Sequence, residues 1–252
     1  MVNQKQKNKK RQWRRRASTK RLIACITMAG ALLISLFFTH QINILLKFDY
    51  DYSHFAPHTY EVHFVDVGQG DATLIRFSNG KTMMVDSGPS GAKENLINYI
   101  NNVFFRNSKK VFNYVVLTHG DSDHMGNMLY ILENYNIEVF YQPTHTEGTA
   151  NYLALRERLQ EKANAEKIQL KNNASGEEII EGDEKVTWLT PTLNYYNSTN
   201  DYSPIMLVEL SNCKLMLTGD ATSEIGEKEA THYFLDEVDI DILKLGHHGS
   251  NT

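Results

Sequence analysis

Cysteine is scarce in this 252-residue chain, with Cys25 and Cys213 the only two. Two thiols so far apart build neither a disulfide framework nor a cysteine zinc cage, so any metal centre must use histidine and carboxylate. Fifteen glycines and five prolines are too few for a collagen-like or low-complexity chain. The composition, 41% apolar and 22% charged, suits one globular domain with an appendage and not a coiled coil. Basic residues are short in the body. Residues 1–22 hold ten Lys/Arg and no acid, which leaves sixteen basic against thirty acidic residues beyond them. The formal charge of −4 therefore hides a body near −14 behind a basic tail.

One long apolar run stands out, Leu22–Phe38, whose only polar members are Thr27 and Ser35. At about 1.5 Å per residue it reaches roughly 25 Å as a helix, near the short end of a bilayer span. Arg14, Arg15, Arg16, Lys20 and Arg21 precede it, the positive-inside pattern for a cytoplasmic N-terminus. No small-x-small cleavage site follows at Thr39–Asn43, so an uncleaved anchor is expected in place of a signal peptide. The expected organisation is a basic cytoplasmic tail over 1–21, a transmembrane anchor over 22–38, a linker over 39–59 and an extracellular domain over 60–252.

From Tyr60 strands and helices alternate. Strands are expected over 62–67, 73–77, 82–85, 111–117, 137–141, 185–189, 205–210, 214–217 and 240–245, with Asn79-Gly80 turning a hairpin. Leu96, Ile97, Ile100 and Phe104 recur at helical spacing, and further helices are expected over 125–135, 152–167 and 224–235. In the helix over 125–135, Met128, Leu129, Ile131 and Leu132 should face inward. This interleaving implies a layered α/β or α+β domain, whose function resides in the joints.

The most informative joint is His119-Gly120-Asp121-Ser122-Asp123-His124, between an apolar strand and a helix. Asp123 alone would pass for a helix N-cap, and a lone histidine for a packed residue. Four adjacent donors of this kind repel one another unless something positive sits among them. In an extended loop His119, Asp121 and Asp123 project to one side and His124 to the other, which can feed two ions. Two-metal hydrolases use such pairs to stabilise the attacking and leaving oxygens of phosphoryl or acyl displacements. Asp220 closes the strand at Leu217-Thr218-Gly219, and His247-His248 close another at Leu245-Gly246. Three strand ends thus offer metal-type ligands.

Together with Phe64-Val65-Asp66-Val67-Gly68-Gln69-Gly70-Asp71-Ala72, Met84-Val85-Asp86-Ser87-Gly88 and Leu243-Lys244-Leu245-Gly246-His247-His248-Gly249-Ser250, these strings resemble the metallo-β-lactamase fold. They are similar in particular to the hydrolase domain of ComEC-type competence proteins over about 60–250, and phosphorylcholine esterases share them. The resemblance implies a four-layer αβ/βα sandwich with a dinuclear site between its sheets. It implies His119 and Asp121 on the first metal, Asp123 and His124 on the second, Asp220 bridging and His248 completing the second. Asp123 and His247 are then the residues nearest the chemistry, His247 facing substrate as proton donor or phosphate binder. Asp66 and Asp86 would orient loops or ligands. For the first metal's remaining ligand the family normally supplies a residue before the bridging Asp. His145, Asn200 or Asp201, the last two within Asn200-Asp201-Tyr202-Ser203, are the choices here. The family also normally continues beyond the last ligand, and its ComEC members carry many spans, so a truncated domain without a DNA-uptake channel is expected.

The cofactors expected are two divalent ions, Zn²⁺ or Mn²⁺, since three Asp and two or three His make a harder site than an all-histidine one. The partners expected are the lipid bilayer, through the N-terminal helix, and a phosphoester or phosphodiester substrate. A nuclease and a phosphorylcholine-esterase-like activity stand level, because the acidic body repels a polyanion while the helix near 152–167 mixes Lys/Arg with Glu. The alternative from another class is a catalytically inactive binding or accessory module tethered to the membrane. Cys213 reads as a buried apolar residue.

Overall fold

A computed structural model describes residues 59–106, 108–145, 148–223, 226, 228–230 and 239–250. The expected tail, anchor and most of the linker lie outside them, as do Cys25 and most of the helix expected over 224–235. Among the described residues no helix is long and apolar enough to cross a membrane.

Two sheets form the domain. The first runs β1 (Glu61–Phe64), β2 (Thr73–Arg76), β3 (Thr82–Val85), β4 (Val111–Val116), β5 (Asn136–Gln142) and β6 (Gln169–Asn172), in that spatial order. Its first three strands are antiparallel, and β3 to β6 pair in parallel. Parallel neighbours need crossovers, and the sequence supplies them as α1 (Lys93–Tyr99), α2 (Ser122–Met125), α3 (Met128–Asn134) and α4 (Ala150–Asn164). The second sheet holds β7 (Glu178–Glu181), β8 (Glu184–Trp188), β9 (Met206–Leu210), β10 (Cys213–Leu217) and β11 (Ile242–Leu243), with only β10–β11 parallel.

Successive side chains along each strand point to opposite faces of its sheet. Ile75, Met83, Val85 and Val116 meet Val186, Trp188, Met206, Val208, Leu215 and Leu217 between the sheets. Leu74, Met84, Val115 and Phe140 turn the other way, against Leu96, Ile100, Phe104, Met128, Ile131, Leu155 and Leu159 of the helices. The remaining face of the second sheet carries Leu207 and Met216, packed with Ala221, Ala230 and Ile240. Among the described residues, helices, sheet and sheet thus form successive layers. The architecture is the mixed α/β sandwich expected.

Several local expectations need correction. The helix expected over 125–135 is two pieces, α2 and α3, separated at Gly126-Asn127. Gly126 packs so closely that a Cβ would lie 2.4 Å from the Ser90 nitrogen and 2.7 Å from the Gly88 oxygen. Leu129 does not face inward and is 41% exposed. The last strand shrinks to Ile242–Leu243 and the first ends at Phe64. β6 and β7, QLKN and EIIE, were not anticipated. Cys213 is only partly buried.

Candidate metal centre

The site gathers where strand ends of both sheets meet. β4 delivers Thr118 and His119, and Asn173 braces that end by donating to Leu117 O at 2.7 Å while accepting from the Trp188 indole at 3.2 Å. The β1–β2 loop is stitched to the signature loop through Asp71 N donating to Asp123 O at 3.2 Å. Gly70 permits that approach, since its φ is +140° and a Cβ would stand 2.4 Å from Asp123 O. Ser87 N and Oγ both donate to His124 O, at 2.7 and 3.0 Å.

Asp121 precedes α2 without a side-chain cap, and Asp123 and His124 sit within it. The extended-loop alternation therefore stops at Asp121, and Asp123 is not the N-cap. Coiling the chain there does what the loop reading assigned to alternation: it brings His124 Nε2 inward as well as Asp123.

Four imidazoles share one orientation. His124 Nδ1 lies 2.8 Å from Asp86 Oδ2, and His119 Nδ1 contacts Thr118 Oγ1 at 3.0 Å and Ser203 Oγ at 3.2 Å. His248 Nδ1 faces Asp71 Oδ1 at 3.6 Å, and His247 Nδ1 contacts Ser250 Oγ at 2.8 Å. With three Nδ1 atoms engaged from behind and that of His248 facing a carboxylate, the Nε2 atoms turn toward Asp220: His124 at 3.1 Å from Oδ1, and from Oδ2 His248 at 3.6 Å, His119 at 3.9 Å and His247 at 3.9 Å. Asp121 Oδ2 lies 3.6 Å from His119 Nε2, and Asp123 Oδ2 3.4 Å from His248 Nε2. All six residues expected as ligands are thus brought together, with His247 at the rim.

The donor set fits a cation. His119 Nε2 and Asp220 Oδ1 are buried without a well-aligned hydrogen bond, Asp220 Oδ1 having His124 Nε2 at 3.1 Å, and His124 Nε2 and His248 Nε2 face each other at 3.3 Å. Orphaned lone pairs converging at 0–3% exposure are costly unless a positive charge is shared among them. Asp71, His124, Asp220 and His248 each offer an atom within 4.8 Å of the others.

The electrostatics of the bare residues follow from this crowding. Burial would push His124 down, but Asp86 and Asp220 carry it up to about 10. Burial would raise Asp220, yet the close approach and charge of His124, with His119 and His248, hold it at about 2. Asp121 is lowered chiefly by the neighbouring His119 imidazole. Asp71 is raised by burial, against the opposing charge of Lys244.

His247 and His248 adopt left-handed backbone, φ +44° and +52°, and Asp86 lies at +57°. Non-glycine residues avoid that region at a cost of about 1–3 kcal/mol each, and three at one site mark backbone held against preference to aim side chains.

Of the choices for the first ion's remaining ligand, His145 stacks on Tyr202 at 4.6 Å and Asp201 Oδ1 accepts from Thr222 N and Oγ1 at 3.2 and 2.6 Å. Asn200 Nδ2 reaches the site, 3.4 Å from His247 Nε2. Asp66 is exposed and fixes its own loop by accepting from Gly68 N, whereas Asp86 is fully buried and also accepts from Thr118 N and Oγ1. Asp71 and Lys244 have no place in the ligand scheme read from spacing, yet Lys244 Nζ bonds Asp71 and donates to Gly219 O at 3.0 Å. Their signal was present in Gly68-Gln69-Gly70-Asp71 and Leu243-Lys244-Leu245, but each pairs only across the fold.

The Metallo-beta-lactamase superfamily model matches residues 65–252. ComE operon protein 3 of Bacillus subtilis is 26% identical over 203 residues, 75% of this chain and 25% of that protein. Recombination protein 2 of Haemophilus influenzae is 28% identical over 195 residues, 77% of this chain and 22% of that protein. The chain therefore spans about a quarter of the curated relatives' length. Among solved structures, the metallo-β-lactamase GOB-18 from Elizabethkingia meningoseptica is 14% identical with a TM-score of 0.48, covering 74% of each chain. The resemblance read from the motifs stands, and this chain belongs to the metallo-β-lactamase superfamily, whose members are generally metal-dependent hydrolases.

Proposed function

We propose that this chain is a phosphoester or phosphodiester hydrolase that works with two divalent cations, Zn²⁺ or Mn²⁺, and is held at the outer face of the membrane by residues 22–38. The observation that carries the reading is the convergence of four imidazole Nε2 atoms on Asp220. His119 and Asp121 would hold one ion, Asp123, His124 and His248 the other, with Asp220 between them. Such a pair supplies an activated water and offsets charge on the reacting oxygens.

The chain's own residues do the rest. Asp86 fixes His124, and Thr118 and Ser203 fix His119, so the ligands need no rearrangement. His247, 31% exposed at the side chain and beside the Asn200 amide, is placed to donate to a phosphoryl oxygen or to the leaving group. A cavity of about 500 Å³ opens beside Asp121 and Asp123, walled by Met125, Leu129, Asn151 and Ala154, room for the organic part of an ester.

A second reading, a tethered module without turnover, is favoured by one observation: His145 stacks on Tyr202 and Asp201 accepts from Thr222, which leaves the weaker amide of Asn200 for the first ion. Hydrolysis of bis(p-nitrophenyl) phosphate by cation-loaded protein separates them. Turnover abolished by chelator and by Asp220→Ala supports the enzyme. Two bound ions with no turnover on this ester, p-nitrophenyl phosphorylcholine or single-stranded DNA would replace it with the module.

A further inference from the structure

Asp71 stands within ligand distance of the proposed cation centre, yet its carboxylate is claimed from the other side. It belongs with His124, Asp220 and His248 to a group whose ligand atoms lie within 4.8 Å of one another. Its backbone cannot withdraw, because Asp71 N donates to Asp123 O at 3.2 Å and Asp71 O accepts from Gly88 N at 2.8 Å. The remaining freedom is the rotation of the carboxylate.

Lys244 sets that rotation. Its Nζ bonds Asp71 Oδ2 and also donates to Gly219 O at 3.0 Å, one residue before Asp220. Its backbone is pinned to the same strand end, N donating to Met216 O at 2.9 Å and O accepting from Thr218 Oγ1 at 2.7 Å. Both side chains are only 15% exposed, so water competes weakly for either partner. The other oxygen, Oδ1, is left facing His248 Nδ1 at 3.6 Å, the side of the ring away from the other ligands.

We propose that Lys244 is a positioning residue that keeps Asp71 out of the ligand set of the cation centre, reserving it as the carboxylate behind His248. Loss of the ammonium frees an anionic oxygen already within ligand reach, and Asp71 then joins the ion. With Asp71 among the residues that would hold the ion, less of it would be left to substrate or water, giving a tighter binding site and a poorer catalyst. The inference rests on reading the site as a cation centre.

Co²⁺ is the probe, since its visible absorption weakens as coordination number rises. Titrations of the full chain follow Co²⁺ affinity and spectrum in wild type, Lys244→Met, Lys244→Arg and Lys244→Met with Asp71→Asn. The expected result is that Lys244→Met binds Co²⁺ at least as tightly as wild type with a clearly weaker band. The double variant regains the wild-type band, and Lys244→Arg retains it. If Lys244 were only structural support, Lys244→Met would lose affinity about 10–100-fold with the band shape kept, which overturns the inference. An unchanged spectrum at any affinity also overturns it. Lys244→Gln gives the same readout should the Met variant fail to fold. Absence of Co²⁺ binding by wild type refutes the cation centre itself, and the inference with it.

Discussion

Asp86→Asn perturbs the cation centre without replacing any proposed ligand. Asp86 is fully buried and sits 2.8 Å from His124 Nδ1, while Thr118 N and Oγ1 donate to its two oxygens at 2.8 and 2.7 Å. In the bare site His124 titrates at about 10 against an ordinary 6.5, so Asp86 and Asp220 favour the imidazolium by roughly 5 kcal/mol beyond what burial removes. A cation must expel that proton to use Nε2. At pH 7.5 the expulsion costs about 3 kcal/mol, and close to one proton per chain should be released from His124 on binding. The Asn amide cannot supply a negative charge, so His124 falls toward its ordinary value and the release from it drops below about half a proton. Calorimetric titration with Zn²⁺ in buffers of different ionisation enthalpy counts the protons directly. Affinity is the poorer readout, because easier deprotonation and poorer ring orientation act in opposite directions. Equal proton release from Asp86→Asn and wild type would refute the electrostatic account of His124.

Three further outcomes follow from the same geometry. In chelator-treated protein, His124, raised to about 10, contributes stability fully present below about 6.5 and lost as pH climbs through 10. Asp220, lowered to about 2, contributes stability present above about 3.8 and lost as pH falls through 2. Thermal melts of bare protein should therefore be lowered at both extremes, and the alkaline loss should vanish in His124→Gln. Gly126→Ala forces a Cβ onto the Ser90 and Gly88 backbone and should destabilise the domain by about 1–3 kcal/mol in urea unfolding, whereas Gly91→Ala, with nothing near its Cβ, should stay within about 0.5 kcal/mol. His247→Ala should keep both ions by elemental analysis while slowing turnover about 10²–10⁴-fold, and loss of an ion there would make His247 a ligand in its own right.

Much of the fold is legible because alternation and turn chemistry are local. Asn79-Gly80 turns the β2–β3 hairpin, and the apolar strands β4, β9 and β10 lie within a residue of where hydrophobicity puts them. β6 has one apolar residue, and β7 buries Ile179 and the charged Glu181 while exposing Ile180, so no apolar alternation marks either edge strand. The break between α2 and α3 arises from the contact of Gly126 with another loop, which no helical periodicity reports. At the site, His119, Asp121, Asp123, His124, Asp220 and His248 announce themselves by donor type and spacing at strand ends. Asp71 and Lys244 do not, because a carboxylate and an ammonium 173 positions apart in sequence acquire meaning only once the β1–β2 loop meets the end of β11. His145 shows the converse. It looks eligible by residue type, and stacking on Tyr202 gives it other work.

The most direct test loads the purified full chain with Zn²⁺ or Mn²⁺, removes free ion by desalting, and counts bound metal per chain by elemental analysis beside Asp220→Ala. Two ions on wild type and none, or a weakly held trace, on the variant is the result expected when Asp220 stands between both sites. Wild type that retains no ion, or Asp220→Ala that retains two, would contradict the account at its centre.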